Sequence, residues 1–200
     1  MSKVIQYFFT PNSPWTYLGH ERLLMLARQY GAMIEPKPFD LGKVFGVSGG
    51  LPLAKRAPQR QAYRLQELKR WSDFLGLRLN PEPKFFPVDP GPAAKLITAA
   101  REGFNADVAL ELAGAIMRAL WVEERDIADD VTLAEVAGDA GLDARMLLAD
   151  AHAAPVAALY QRHTDEAIAA GVFGSPWYVV DGHGFWGQDR LDFVERLLQQ

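Results

Sequence analysis

The spacing of apolar residues changes period twice along the chain and divides it into three parts. Residues 3–9 ("KVIQYFF") are β-branched and aromatic, the composition of a short buried strand. From residue 14 the apolar positions Leu18, Leu23, Leu26 and Ala27 recur at helical spacing as far as Gly31, with Ser13 placed to cap the helix and Pro14 to open it. Residues 32–39 ("AMIEPKPF") read as a second strand, which its prolines put at an edge or end near Glu35.

The middle of the chain is helical in period. Residues 41–58 are rich in Gly and Pro and are expected to form a loop. A helix over 59–74 presents Tyr63, Leu68, Trp71, Phe74 and Leu75, and stops before Gly76. A proline-rich connection ("NPEPKFFPVDPGP") leads to helices over 92–101 and 105–124, the second capped by Asn105. Thr132 and Glu135 have capping-box spacing for a helix ending near Gly141; Asp143 caps the next, and Pro155 opens one that runs to Ala170.

Period two returns at the end. Residues 177–180 read as a strand, 181–184 as a hairpin turn, and Phe185-Trp186 as the return strand. Asp189 then opens an amphipathic helix with Leu191, Val194, Leu197 and Leu198 inside. A βαβ half and a ββα half fit one small mixed sheet. The expected fold is therefore α/β with an inserted helical domain, the sheet domain being 1–45 with 165–200 and the insertion 46–164.

Composition narrows the chemistry. The 200 residues are 49% hydrophobic and 23% charged, enough to bury a full core in one domain with an insertion. A net charge of -4 with no basic run argues against nucleic acid and anionic membrane surfaces as partners. The first apolar run is too short to span a membrane and lacks the flanks of a signal peptide, so a cytoplasmic protein is expected. There is no cysteine. Such a chain forms no disulfide and exchanges no thiol by itself; any sulfur it works with arrives on a ligand.

Three places could hold such a ligand. Ser13-Pro14-Trp15-Thr16 stands at a strand-to-helix corner, where redox proteins place Cys-x-x-Cys. Unpaired N–H groups and the dipole at a helix start favour an anion there, and a serine hydroxyl can donate to a thiolate. A plain helix cap is the commoner explanation of Ser-Pro on spacing alone. Ser175-Pro176 lies directly before a strand, and a cis bond there would expose the Ser175 backbone to an extended ligand; cis is the minority form. Gln188-Asp189, at the start of the last helix, could hold an amino-acid head group or simply cap.

Other chemistry is weaker. The four histidines show no metal-ligand spacing, neither Ser13 nor Ser175 lies in a Gly-x-Ser-x-Gly elbow, and "GVSGG" lacks the Lys-Ser/Thr of a phosphate loop. The basic residues Lys55, Arg56 and Arg60 could meet a carboxylate substrate, although a solvated loop is the commoner explanation of such a cluster.

The motifs "SPWTYLG", "PFDLGKVF", "YRLQELKRWSDFLGL", "KFFPVD", "GVFGSP" and "FWGQDRLDF", in this order and nearly end to end, resemble the 2-hydroxychromene-2-carboxylate isomerases and their relatives, the kappa-class glutathione transferases. The resemblance implies a DsbA-like thioredoxin fold, glutathione as cofactor, a homodimer, and a small aromatic carboxylate from aromatic catabolism as substrate. By motif position, Ser13 would stabilise the glutathione thiolate and Ser175, before cis Pro176, would pair with the glutathione cysteine. Gln188 and Asp189 would meet the γ-glutamyl end, with Arg60 and Gly50 at two further contacts. Three positions depart from the family pattern: Gly49-Gly50 replaces a loop Asn, Arg60 replaces a Lys, and Asp89 replaces the Asn of an "FPxN" motif.

Overall fold

A computed structural model describes residues 3–200 of the chain. The first two residues of the expected sheet segment 1–45 lie outside the described residues. Strands β1 (Val4–Phe9) and β2 (Met33–Pro38) are parallel and joined by helix α1 (Pro14–Tyr30). Strands β3 (Trp177–Val180) and β4 (His183–Trp186) form a hairpin, and β3 pairs antiparallel with β1. The sheet order is β2-β1-β3-β4, which brings residues from both ends of the chain side by side. The hairpin turn is only Asp181-Gly182, both at positive φ, so β4 begins at His183, earlier than the period suggested.

Between β2 and β3 run α2 (Leu41–Ser48), α3 (Pro58–Leu75), α4 (Gly91–Gly103), α5 (Ala106–Trp121), α6 (Asp130–Asp139), α7 (Ala144–Ala151) and α8 (Ala154–Ala169). A short 3-10 turn at Gln188–Arg190 leads into α9 (Leu191–Leu198).

Alternation along β1 sorts these helices into layers. Ile5, Tyr7 and Phe9 join the larger core, with Leu23 of α1, Ile97 of α4, Leu112 and Trp121 of α5, and Val194 of α9. Phe8 points to the opposite face and packs with Phe39, Val44 of α2, Ala167 of α8 and Trp177. Both faces of the strand are therefore covered, as a period-two strand in a sandwiched sheet requires.

Three elements differ from the sequence reading. Residues 41–48 form α2, not a loop. Asp40 caps this helix by accepting from the Lys43 N–H at 3.1 Å, and Gly49 ends it in the left-handed conformation. Helix α6 is capped by Asp129, whose carboxylate accepts from the Thr132 N–H and hydroxyl at 2.9 and 3.0 Å, so the helix starts before the expected capping box. Helix α3 buries Leu68 fully but leaves Phe74 78% and Tyr63 55% exposed, so most of its apolar stripe faces out.

Candidate functional site

The strand-to-helix corner after β1 carries the site. Ser13 is the N-cap of α1: its Oγ accepts from the Thr16 N–H at 3.2 Å, while the Tyr17 N–H goes to the Ser13 carbonyl at 3.1 Å. Pro14 has no N–H, and that of Trp15 has no acceptor among the described residues. No acidic residue stands in the first turn of α1. The positive end of this helix is thus uncompensated by the chain itself.

The sheet brings Ser175 against this corner. The Ser175–Pro176 peptide is cis, and the Ser13 hydroxyl donates to the Ser175 carbonyl oxygen at 3.2 Å. The Ser175 side chain accepts from the Thr10 N–H at 2.9 Å and shares a hydrogen bond with the Thr16 hydroxyl, also at 2.9 Å. Thr10, Ser13, Thr16 and Ser175 are all buried, and together they form one hydrogen-bonded cluster. The corner that would hold two cysteines in a redox protein holds two hydroxyls, Ser13 and Thr16.

The remaining expected residues distribute unevenly. Pro176 continues directly from Ser175, and its carbonyl accepts from the Gly187 N–H at 2.9 Å, which ties the cis turn to the start of the 188–190 turn. Gln188 is only 2% exposed, and neither its amide oxygen nor its amide nitrogen has a partner among the described residues. It packs on α1 at Gly19, where a Cβ would come within 2.6 Å of the Gln188 Cβ. Its side chain is therefore directed into the protein, and only its backbone can face a ligand. Asp189 is exposed and paired with Arg190 at 3.2 Å.

Gly50 lies under the Phe45 ring, where a Cβ would meet ring carbon at 2.1 Å, so its small size serves packing after α2. Arg60 is exposed in the first turn of α3; its charge and, more strongly, burial draw the Arg56 guanidinium below its ordinary value. No hydrogen bond joins Gly50 or Arg60 to the Ser13 cluster among the described residues.

Sequence reasoning missed two groups. Asn12, one residue before Ser13, accepts from the Thr10 hydroxyl and donates through Nδ2 to the Val88 carbonyl at 2.9 Å, which holds the proline-rich connection against the corner. Asp89 in that connection accepts from the Gly91 N–H at 2.9 Å and so helps to start α4. Arg64 is the second miss. It continues the Arg56 and Arg60 spacing by another four residues, a stripe that the period of α3 makes visible.

Further along α1, His20 is buried and kept neutral, its pKa drawn down to about 4 by desolvation despite a hydrogen bond to the Leu110 carbonyl. Its Nε2 donates to that carbonyl at 2.9 Å, so its Nδ1 accepts from the Tyr7 hydroxyl at 3.3 Å. Among the described residues no cluster of His, Cys, Asp and Glu could hold a metal ion, and no helix is long and apolar enough to cross a membrane.

A mixed sheet split by a helical insertion, with a capped helix start facing the residue before a cis proline, defines a thioredoxin-fold protein, here one with no thiol of its own. Residues 4–199 match the DSBA-like thioredoxin domain. The chain is 30% identical to 2-hydroxychromene-2-carboxylate isomerase from Sphingobium xenophagum over 199 residues, 99% of each chain. It is 28% identical to glutathione S-transferase kappa 1 from Caenorhabditis elegans, over 98% of this chain and 91% of that one. A solved 2-hydroxychromene-2-carboxylate isomerase superposes with a TM-score of 0.85 at 23% identity, covering 98% of this chain and 94% of the other, a likeness of fold. The chain belongs to the DsbA-like thioredoxin family, in the group of 2-hydroxychromene-2-carboxylate isomerases to which the kappa-class glutathione transferases are related.

Proposed function

We propose that this protein is a glutathione-dependent isomerase of 2-hydroxychromene-2-carboxylate or a similar aromatic-catabolic intermediate. One observation carries the reading: in a chain without cysteine, the Ser13 hydroxyl sits at an uncompensated helix start and faces Ser175 at a cis proline turn. These groups fit a thiolate. The helix end favours negative charge, and a donor aimed at a sulfur anion lowers the thiol's pKa. The names of the relatives, isomerases and glutathione transferases, agree with it.

In this reading the Ser13 hydroxyl leaves the Ser175 carbonyl and donates to the thiolate, with the Trp15 N–H beside it. The Ser175 backbone, released from Ser13, pairs with the glutathione cysteine as a neighbouring strand would. The backbone of Gln188 and the carboxylate of Asp189 hold the γ-glutamyl end. Bound there, glutathione supplies a nucleophile that adds reversibly to an electron-poor double bond and leaves again, which lets that bond rotate while it is single. Thr10, Thr16 and Asn12 keep the corner in register. The homodimer, the cytoplasmic location, contacts from Arg60 and Gly50, and the insertion boundaries at 46 and 164 belong to the same proposal.

A second reading, a kappa-like transferase that conjugates small electrophiles, is supported by the 28% identical relative. Counting thiol separates the two. Incubating the chromene carboxylate with a tenth of its amount of glutathione should give complete conversion with all thiol recovered. Thiol loss with an aryl halide and no conversion of the chromene would favour the transferase and overturn the isomerase.

A further inference from the structure

A half-buried cation without a counter-ion among the described residues stands in the wall of a cavity on the helical side of the molecule. Arg64 of α3 makes no hydrogen bond and no ion pair among the described residues, and its Nη2 is closed off from solvent. Its guanidinium lies over the Phe86 ring at 5.0 Å and the Trp121 ring at 6.0 Å. Trp121 is fully buried, and its indole N–H also lacks an acceptor among the described residues. Burial and the charge of Arg56 draw the Arg64 guanidinium down to about 10, against the field of Glu82. Glu82 itself forms no ion pair with it among the described residues. Taking even part of a charge out of water is unfavourable, and the two rings offset only some of that cost, so an anionic partner arriving from outside would complete the site.

The cavity supplies room for one. It holds about 260 Å3, with apolar walls from Leu53, Leu65, Pro83, Phe86 and Pro87, and with Gln61 and Glu82 beside Arg64. That lies below the roughly 300–1,000 Å3 of pockets for drug-sized ligands. A one- or two-ring molecule suits it, and a tripeptide does not. Its position is also informative. Pro87 lines it, the next residue Val88 accepts from Asn12, and Asn12 precedes Ser13. One hydrogen bond thus ties the segment that lines the cavity to the helix start that the isomerase reading makes reactive.

We infer that this cavity is a carboxylate site in which Arg64 pairs with the acid group of a small planar aromatic molecule. The guanidinium fork matches a carboxylate in two parallel hydrogen bonds, and the rings it lies over limit where it can reach. The aromatic body lies along Phe86 and the prolines. Binding of the acid needs no glutathione; its use as the anchor of the isomerised substrate rests on the reading of Ser13 above.

Calorimetric titration of 2-naphthoate into the full-length protein, without glutathione, tests the site, with 2-naphthalenemethanol as the uncharged match. Naphthoate should saturate the wild type and bind at least tenfold more weakly to Arg64→Met, since a hydrogen-bonded charge pair is lost. Arg64→Lys should fall between, and the alcohol should show no dependence on residue 64. Without ligand, Arg64→Met should melt no lower than wild type, because it removes an unpaired charge and keeps an apolar stem. Glutathione, titrated into the same variants, should bind unchanged. No naphthoate binding to folded wild type, equal affinity in both variants, or a loss confined to glutathione would overturn the site. Ser13→Ala should leave naphthoate affinity as it was, so failure of the thiolate reading and failure of this one are separately visible.

Discussion

The hydroxyl of Ser13 donates to the carbonyl oxygen of Ser175 across 3.2 Å, although 162 positions separate the two residues in the chain. The contact joins the first helix start to the turn before the third strand. It is also a long bond, and a better acceptor such as a thiolate can displace it.

Replacing Ser13 with Ala should therefore separate function from folding. Loss of an N-cap costs about 0.5–2 kcal/mol, or roughly 1–8 °C of melting temperature for a chain of this size. Turnover should fall about a hundredfold or more, the scale of losing one donor to a reacting anion. Steady-state kinetics beside a thermal melt would show both, and near-normal turnover would remove Ser13 from the mechanism.

Ser175→Ala should do the reverse and act mainly on stability. The Ser175 hydroxyl is the acceptor for the buried Thr10 N–H and the partner of Thr16. Removing it strands a buried donor at a cost of about 1–3 kcal/mol. Denaturant unfolding should register that loss, and amide exchange at Thr10 should accelerate. Unchanged exchange there would argue against the cluster.

Gly19 is set by a neighbour rather than by backbone conformation. A Cβ there would stand 2.6 Å from the Gln188 Cβ and 3.1 Å from the Tyr178 hydroxyl. Gly19→Ala should cost about 1–3 kcal/mol as overpacking. Because it pushes on the 188–190 turn, the KM for glutathione should rise more than kcat falls. Melting and kinetics together check this, and a variant with wild-type melting would contradict the packing.

Acid should destabilise the fold before its carboxylates titrate. Burial holds His20 and His163 neutral, each drawn down to about 4 from 6.5. The unfolded chain therefore takes up these protons first. Stability is full above pH 6.5 and is lost as pH falls towards 4. Linkage puts the loss at about 1.4 kcal/mol for each histidine between pH 8 and pH 5.5. Urea unfolding across that range should show it, and a flat profile would mean that one or both are charged in the fold.

Much of this architecture was legible because it rests on local rules. Strand β1 announces itself by its aromatic and β-branched run, and α1 by Ser13, Pro14 and Gly31. The missing pieces fail for physical reasons. Glycines at 42, 46 and 49 hid α2, although Asp40 and Gly49 are an ordinary start and stop. The inward direction of Gln188 depends on Gly19, which only tertiary contact reveals. Arg64 continues a basic stripe that reads as solvated, and nothing in sequence says that its guanidinium lies over Phe86 and Trp121.

The most direct measurement is the ultraviolet absorbance of the glutathione thiolate as a function of pH, with saturating protein, for wild type and Ser13→Ala. The protein has no cysteine, so any thiolate signal belongs to the ligand. The account predicts that the bound thiol titrates at least one pH unit below the value near 8.5 of a free thiol, and that most of this shift disappears in Ser13→Ala. A bound thiol that titrates as it does free in solution, or a shift indifferent to Ser13, would contradict it.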